Sequence, residues 1–531
     1  MILILDYGSQ YTQLIARRVR ESGMYSFIVP GDASLERIQS MKPKAVILSG
    51  GPSSVYDTDA PDLPKGFLDW QRETRLPVLG ICYGMQLLVH RMGGKVEKAH
   101  VREYGRMGVR PEAGAKILSG AAVTNGYFQA WMSHGDETKA LPPGFRVAGL
   151  SEAGGITAME NEEARLYALQ FHPEVTHTEG GSAILKRFLT ELAGLKSDWD
   201  MGNVLEEQIA KIRQKVGPDE HVICALSGGV DSAVAAALVH RAVGDRLHCV
   251  FVDNGLLRLN ERERVMETCG AKLGLPVECV DARERFLTKL AGVSDPEQKR
   301  KIIGAEFIAV FEDAATRLEK TLGKKPGFLV QGTLYPDVIE SSPPPGSISE
   351  LGGGRKHSAT IKSHHNVGGL PKDLRFQLIE PLRDLFKDEV RALGRKLDVQ
   401  NDFLERHPFP GPGLGVRVIG DVRPEYLEIL KQADHIFIEE IRKEGLYSKI
   451  WQAFVVFLPI KSVGVQGDGR THDHVVALRA VTSSDGMTAD WYPFDGPFLA
   501  RVSRRICNEV RGVNRVVYDV SSKPPATIEW E

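Results

Sequence analysis

Short apolar runs alternate with amphipathic stretches along the first third of the chain. "ILILDYG", "KAVILSGGP" and "VLGIC" are continuous apolar segments closed by turn residues, the pattern of buried strands. "YTQLIARRVRES" and "YGMQLLVHRMGG" carry apolar residues at helical spacing. Strand and helix in alternation predict an open sheet with functional loops at the strand ends. A polar, helix-like stretch, "SDWDMGNVLEEQIAKIRQKVG", then separates this block from a new strand, which places a boundary near Leu195. The second block repeats the alternation in "HVICALSGGVDSAVAAALVHRAV", "LHCVFVDNG", "PVECVDARERF" and "GFLVQGTLYPDVIES", with the last three taken as strands. Beyond "RHPFPGPGLGVRVIG" the strand-like runs "AFVVFLPIKSVGV", "DHVVALRAV" and "RVVYDV" surround helical segments. The expected fold class is α/β. Two open, mainly parallel α/β-sheet domains, 1–195 and 196–406, precede a smaller α+β domain, 407–531. Between Ser341 and Gly369 the composition turns to Pro, Gly and Ser, and a loop that long inside a compact domain is expected to be either disordered or a lid.

Composition narrows the class without choosing within it. The chain has 531 residues, 42% hydrophobic and 26% charged, with a formal net charge of -2, so no charge excess points to nucleic acid or an anionic membrane. Asp6 interrupts the first apolar run and no basic region precedes it, which favours a strand over a signal peptide. No run approaches the length of a membrane span. Cysteines 82, 224, 249, 269, 279 and 507 form no C-x-x-C pair, which suits a reducing cytoplasm. The expectation is a soluble intracellular protein.

Candidate chemistry sits at two glycine turns. "LSGGVDS", Leu226 to Ser232, lies where a strand hands over to a helix. Glycines there let backbone N–H groups close on phosphate oxygens, and the helix N-terminus adds positive potential. Ser227 and Ser232 supply hydroxyls and Asp231 a carboxylate able to hold Mg²⁺. The loop lacks the G-x-x-x-x-G-K-[ST] spacing of a Walker A. The other turn, Gly80-Ile81-Cys82-Tyr83-Gly84, has the form of a nucleophile elbow with cysteine in place of serine. Such a thiol needs a base held by a third group. "LQFHPEVTHT" offers His172 with Glu174 two residues on, and His134 and His177 are rival bases. Gly50 and Gly51 offer N–H groups for an oxyanion hole. His364 and His365 lack a third ligand at metal spacing.

These motifs resemble two known families. "SGGVDS" is similar to the loop of the N-type ATP pyrophosphatases, which grips the pyrophosphate end of ATP while a substrate oxygen is adenylylated. By that resemblance Ser227, Gly228, Gly229, Val230, Asp231, Ser232 and Ala233 bind ATP. The elbow, the glycine pair and H-P-E resemble a class I glutamine amidotransferase. That resemblance implies that Cys82 attacks the glutamine amide, His172 protonates ammonia, and Glu174 orients His172. Gly51 and Tyr83 would supply oxyanion N–H groups, and Gln86 would help to seat glutamine.

Across essentially the whole chain, "IKSHHNVGGLP", "HPFPGPGLGVRV", "SVGVQGDGR" and "SKPPATIEWE" extend the likeness to the glutamine-hydrolysing GMP synthetase family. Tyr7 is a mild variation, since many relatives carry phenylalanine there. The family implies XMP, ATP and glutamine as substrates, Mg²⁺ with ATP, and no organic prosthetic group. It also implies XMP contacts from Arg300, Gln452, Lys523 and Glu529, and phosphate or adenylyl contacts from Lys362 in the lid. A homodimer through the third domain is implied too, which would bury Val455, Val456 and Phe457 between subunits. Two other expectations compete: another acceptor, as in glutamine-dependent NAD synthetase, or a nucleotide-binding regulatory module with decayed sites.

Overall fold

The structure is a computed structural model. It describes every residue except 122, 342–375, 467–468 and 484–487, with the backbone alone at 99–103, 339–341 and 466. Lys362, His364, His365 and nearly all of the expected lid therefore lie outside the described residues. The chain divides into two compact units, one built on Met1–Asp200 and the other on Met201–Val338 with the chain from 376 onward.

In the first unit, strands β1 (Ile2–Asp6), β2 (Ser26–Pro30), β3 (Ala45–Leu48) and β4 (Val78–Ile81) belong to one sheet. The sheet continues through β5 (Lys95–Pro111), β6 (Phe128–Ala140), β7 (Arg146–Ser151), β8 (Ile156–Asn161) and β9 (Leu166–Leu169). Its order is β2-β1-β3-β4-β9-β8-β7-β5-β6. From β2 to β9 every pairing is parallel, as the alternation with helices predicts. From β9 to β6 every pairing is antiparallel. β3, β4 and β9 are buried at every position, which is why they read as unbroken apolar runs.

In the second unit a parallel sheet has the order β12-β11-β10-β13-β14. Its strands are β10 (Val222–Leu226), β11 (Leu247–Asp253), β12 (Val277–Asp281), β13 (Phe328–Val330) and β14 (Gln377–Ile379). Two of the expected strands are shorter than anticipated. β12 stops at Asp281 and a helix begins at Arg283, while "GFLVQGTLYPDVIES" is strand over β13 alone and helix over Tyr335–Ser341. Pro336 in the first turn is suited to a helix start, and the Asp337 carboxylate accepts from the Leu334 N–H at 3.0 Å, closing that start.

The last sheet holds β15 (Gln452–Gln466), β16 (Gly469–Thr482), β17 (Asp490–Trp491) and β18 (Val513–Tyr518), with β15 antiparallel and β18 parallel to β16. Val455 and Phe457 join a core cluster that also takes Leu256, Phe286, Ile303, Leu414 and Phe437. Val456 packs on the other face with Phe454, Ala477 and Ile528. The expectation that Val455, Val456 and Phe457 are buried between subunits is corrected: all three are fully buried within the one chain, because both faces of β15 are covered by its own elements. The exposed apolar residues of β15 are instead Ile460, Val463 and Val465.

Candidate active sites

The thiol site follows from strand register. Ile81 of β4 pairs with Leu169 of β9, so the residues after both strands emerge side by side. The Cys82 N–H donates to the Leu169 carbonyl at 2.7 Å. Cys82 itself has φ 52° and ψ -108°, a left-handed conformation that a non-glycine residue holds only under strain. Its flanking glycines are steric necessities. A Cβ on Gly80 would stand 2.6 Å from the Gly84 carbonyl oxygen, and one on Gly84 2.5 Å from that of Leu48. The strand–turn–helix junction closes only without those side chains. Tyr83 opens the helix Tyr83–Arg91, so its N–H is among those with no intrahelical acceptor.

Around the buried thiol, His172 is only 3% exposed and Glu174 not at all. His172 Nδ1–H donates to Glu174 Oε1 at 2.7 Å, and the ring also hydrogen-bonds Cys82. Burial pulls the imidazole pKa down, but the Glu174 carboxylate and Cys82 outweigh it and hold it well above its ordinary value. His172 is therefore set to carry a proton beside the sulfur. The rival bases are placed differently: His134 Nδ1 meets the Asp136 carbonyl at 2.9 Å, and the His177 ring packs on Trp131 at 4.7 Å. Gly50 lies against the pair, since a Cβ there would come within 3.1 Å of His172 Cε1 and 3.5 Å of Cys82 Cβ. Gly51 is glycine because the Tyr7 carbonyl oxygen would meet its Cβ at 2.6 Å.

The antiparallel half of the sheet completes this site, and sequence reasoning missed it. β6 brings the Ser133 carbonyl to 3.8 Å from Cys82 Sγ and the Asp136 carbonyl to 3.1 Å from Gln86 Nε2. Gln170, which follows β9, was not singled out either. Its Nε2 stands 3.9 Å from Cys82 Sγ while its Oε1 accepts from Gln86 Nε2 at 3.3 Å. Its position two residues before His172, on an extended segment, was the available signal.

In the second unit the phosphate-type loop leaves β10 and enters the helix Val230–Val243. Gly228 has φ +77°, which explains glycine at that position. Ser227 Oγ and Ser232 Oγ lie 3.0 Å apart, and Ser227 Oγ also accepts from the Gly229 N–H at 3.3 Å. Val230 and Ala233 bury their side chains, so what they present to a ligand is backbone at a helix N-terminus. Lys387, absent from the sequence expectations, holds Asp231 by both oxygens, at 2.5 and 2.6 Å. An ammonium and a carboxylate thus meet at the start of the helix that the loop opens.

The expected XMP residues fall into two groups. Gln452 Nε2 donates to Glu529 Oε1 at 2.7 Å, and Glu529 is gripped by the fully buried Arg417 at 2.8 and 3.1 Å. Arg300 reaches the same terminal segment, donating to the Glu531 carbonyl at 2.5 Å. Lys523 instead lines a cavity of about 380 Å³ with Thr482, Ser483, Thr488, Ala489 and Asp490. Arg417 is a further residue that the sequence did not disclose.

His407, beside Gln452, carries a measurable pH dependence. Its ring stacks on Tyr447 at 3.8 Å, Nε2–H donates to the Tyr447 carbonyl, and Nδ1 accepts from the Ala453 N–H. Burial pushes its pKa down to about 4, and the nearby positive charges of Arg258 and Arg442 act in the same direction. The folded state then binds fewer protons than the unfolded one between pH 6.5 and 4, so stability is lost as pH falls through that window. About 3 kcal/mol is at stake. Denaturant midpoints should drop from pH 7 to 4.5, and His407→Gln should remove most of that share; an equal drop in the variant would refute it.

The class I glutamine amidotransferase family matches residues 3–192, the segment that carries the thiol site. The tRNA methyl transferase HUP domain family matches residues 220–292, and the GMP synthase C terminal domain family matches residues 439–530. The chain belongs to the glutamine-hydrolyzing GMP synthase family. A protein of that name from Thiobacillus denitrificans is 56% identical over 535 residues, covering 100% of this chain and 99% of its own. Those of Paraburkholderia phytofirmans and Brachyspira hyodysenteriae are 55% and 53% identical, with the same coverage of both chains.

Proposed function

We propose that this chain makes GMP from XMP, ATP and glutamine, releasing AMP, pyrophosphate and glutamate. The observation that carries this is the end-to-end 56% identity to a glutamine-hydrolyzing GMP synthase, in a chain that holds both a thiol site and a phosphate-type loop. In the first unit Cys82 Sγ adds to the side-chain carbonyl of glutamine. His172 gives its proton to the departing nitrogen, ammonia leaves, and water then hydrolyses the thioester. Glu174 keeps Nδ1 engaged so that the other ring nitrogen serves the sulfur. N–H groups at Gly51 and Tyr83 receive the oxyanion, and Gln86 with Gln170 seats the amide.

In the second unit the Ser227–Ala233 loop holds ATP. The XMP 2-oxygen bonds to the α-phosphorus as pyrophosphate leaves, and ammonia then displaces AMP at C2. Mg²⁺ bound with ATP would offset the charge of the leaving pyrophosphate. Asp231 suits it as a hard oxygen ligand, with Lys387 turning to the phosphates. Arg300, Gln452, Lys523 and Glu529 take XMP, and Lys362 the phosphates or the adenylyl group. Residues 1–195 hydrolyse glutamine, 196–406 use ATP, and 407–531 bind XMP and form a cytoplasmic homodimer whose contact uses the exposed Ile460, Val463 and Val465. No helix among the described residues is long and apolar enough to cross a membrane.

The test is an assay of GMP formation from XMP, Mg·ATP and glutamine, with nicotinic acid adenine dinucleotide as the rival acceptor. Equimolar GMP, AMP and pyrophosphate from XMP alone is the expected result. Turnover of the rival in place of XMP would overturn the assignment.

A further inference from the structure

Four consecutive residues, Arg406-His407-Pro408-Phe409, each hold a different part of the second unit. Arg406 Nη1 donates to the Gly228 carbonyl at 2.9 Å, while Nη2 pairs with Glu261, a side chain only 5% exposed. Gly228 is the positive-φ residue of the loop, so Arg406 grips the backbone where the direction of the loop N–H groups is decided. One residue on, His407 holds the Ala453 N–H of β15. The Pro408 carbonyl accepts from Gln452 Nε2 at 3.2 Å. The Phe409 ring packs against two guanidinium groups, Arg258 at 5.0 Å and Arg417 at 5.1 Å. Arg417 is the bidentate partner of Glu529, and Arg258 Nη2 donates to the Ala453 carbonyl at 3.2 Å. Within one short segment the chain passes from the phosphate loop to the Gln452–Glu529 cluster.

We propose that Arg406–Phe409 is a strap that sets the phosphate loop in register with the acceptor-binding strand, with Arg406 as the positioning residue at its loop end. This rests on the assignment above of ATP to the loop and of the acceptor nucleotide to Gln452 and Glu529. Attack at the α-phosphorus needs the acceptor oxygen aligned and within about 3.5 Å, and a misplacement of about 1 Å costs on the order of 100-fold in rate. The bond from acceptor oxygen to phosphorus forms as the bridging bond to the β-phosphate breaks, its electron pair leaving with pyrophosphate. The strap exchanges no proton and no electrons in that step. Arginine suits the place because its planar fork reaches a carbonyl and a carboxylate at once in fixed geometry, which a lysine ammonium does not.

The experiment uses the full chain with ammonium chloride as nitrogen source. Pyrophosphate release is followed while XMP and Mg·ATP are varied in turn, well below the unfolding transition. The variants are Arg406→Lys and the double variant Arg406→Met with Glu261→Gln, which leaves no unpaired buried carboxylate. Expected is a fall in kcat of about 10- to 100-fold with each KM changed by less than about threefold. A role in folding alone would lower Tm and spare kcat. Unchanged kcat in both variants overturns the strap, and so does a raised KM for ATP at unchanged kcat. If the unaltered chain releases no pyrophosphate with XMP, the assignment of the two sites falls and the strap falls with it.

Discussion

Cys82→Ala is expected to lower glutamine-dependent GMP formation by on the order of 10⁴-fold or more, while ammonium-dependent formation stays near that of the unaltered chain. The size follows from the chemistry. Glutamine amide is a poor electrophile with a poor leaving group, and the Cys82 thiol is the nucleophile proposed to add to it, with His172 as the proton donor. His172 and Glu174 remain in the variant but have no nucleophile to serve. Ammonium supplies the nitrogen directly, so the variant separates the two halves of the reaction. GMP is measured under both nitrogen sources, with circular dichroism to show that the variant is folded. Loss of both activities in a folded variant would contradict the division of labour.

Asp231→Ala is expected to cut AMP and pyrophosphate formation by on the order of 10³-fold even with ammonium supplied. Two effects add. On the proposed reading the loop loses its carboxylate for Mg²⁺, and the Lys387 ammonium loses the carboxylate that holds it at the loop. Pyrophosphate release with XMP and ammonium is the readout. Release at an unchanged rate would remove Asp231 and the loop from the adenylylation step.

Both glycine turns were legible because their requirements are local. A buried strand, a tight turn and a helix start leave marks within a few residues, as at Gly80–Gly84 and Gly228–Asp231. His172 and Glu174 were legible for the same reason, standing two residues apart. What stayed hidden depends on partners far along the chain. Lys387 meets Asp231 across 156 positions, Arg406 meets Gly228 across 178 and Arg417 meets Glu529 across 112, and no spacing rule spans such distances. The antiparallel strands were hidden by composition. β5, "KVEKAHVREYGRMGVRP", carries too many charges to read as buried strand, yet it pairs with β6 through most of its length. The expectation for Val455–Phe457 failed by assigning a strand's apolar surface to a partner when its own chain covers both faces. The helix at Tyr335–Ser341 was overlooked although Pro336 and Asp337 are helix-start residues.

The way the apolar clusters are drawn sets where this chain tolerates being cut. Among the described residues, the cluster of Leu3, Val46, Val78, Tyr83 and Ala168 in the first unit takes no member beyond residue 168. The cluster of the second unit runs without a break from Ile223 through Leu256 and Leu414 to Val513. A break near residue 200 would leave that first cluster whole, so the amidotransferase half is suited to life as a separate polypeptide. A break at 406 would strip Leu414, Val418 and Leu427 from Leu256 and Phe286, and leave two sticky halves. In packing terms the described residues form two units, even though three segments differ in pattern.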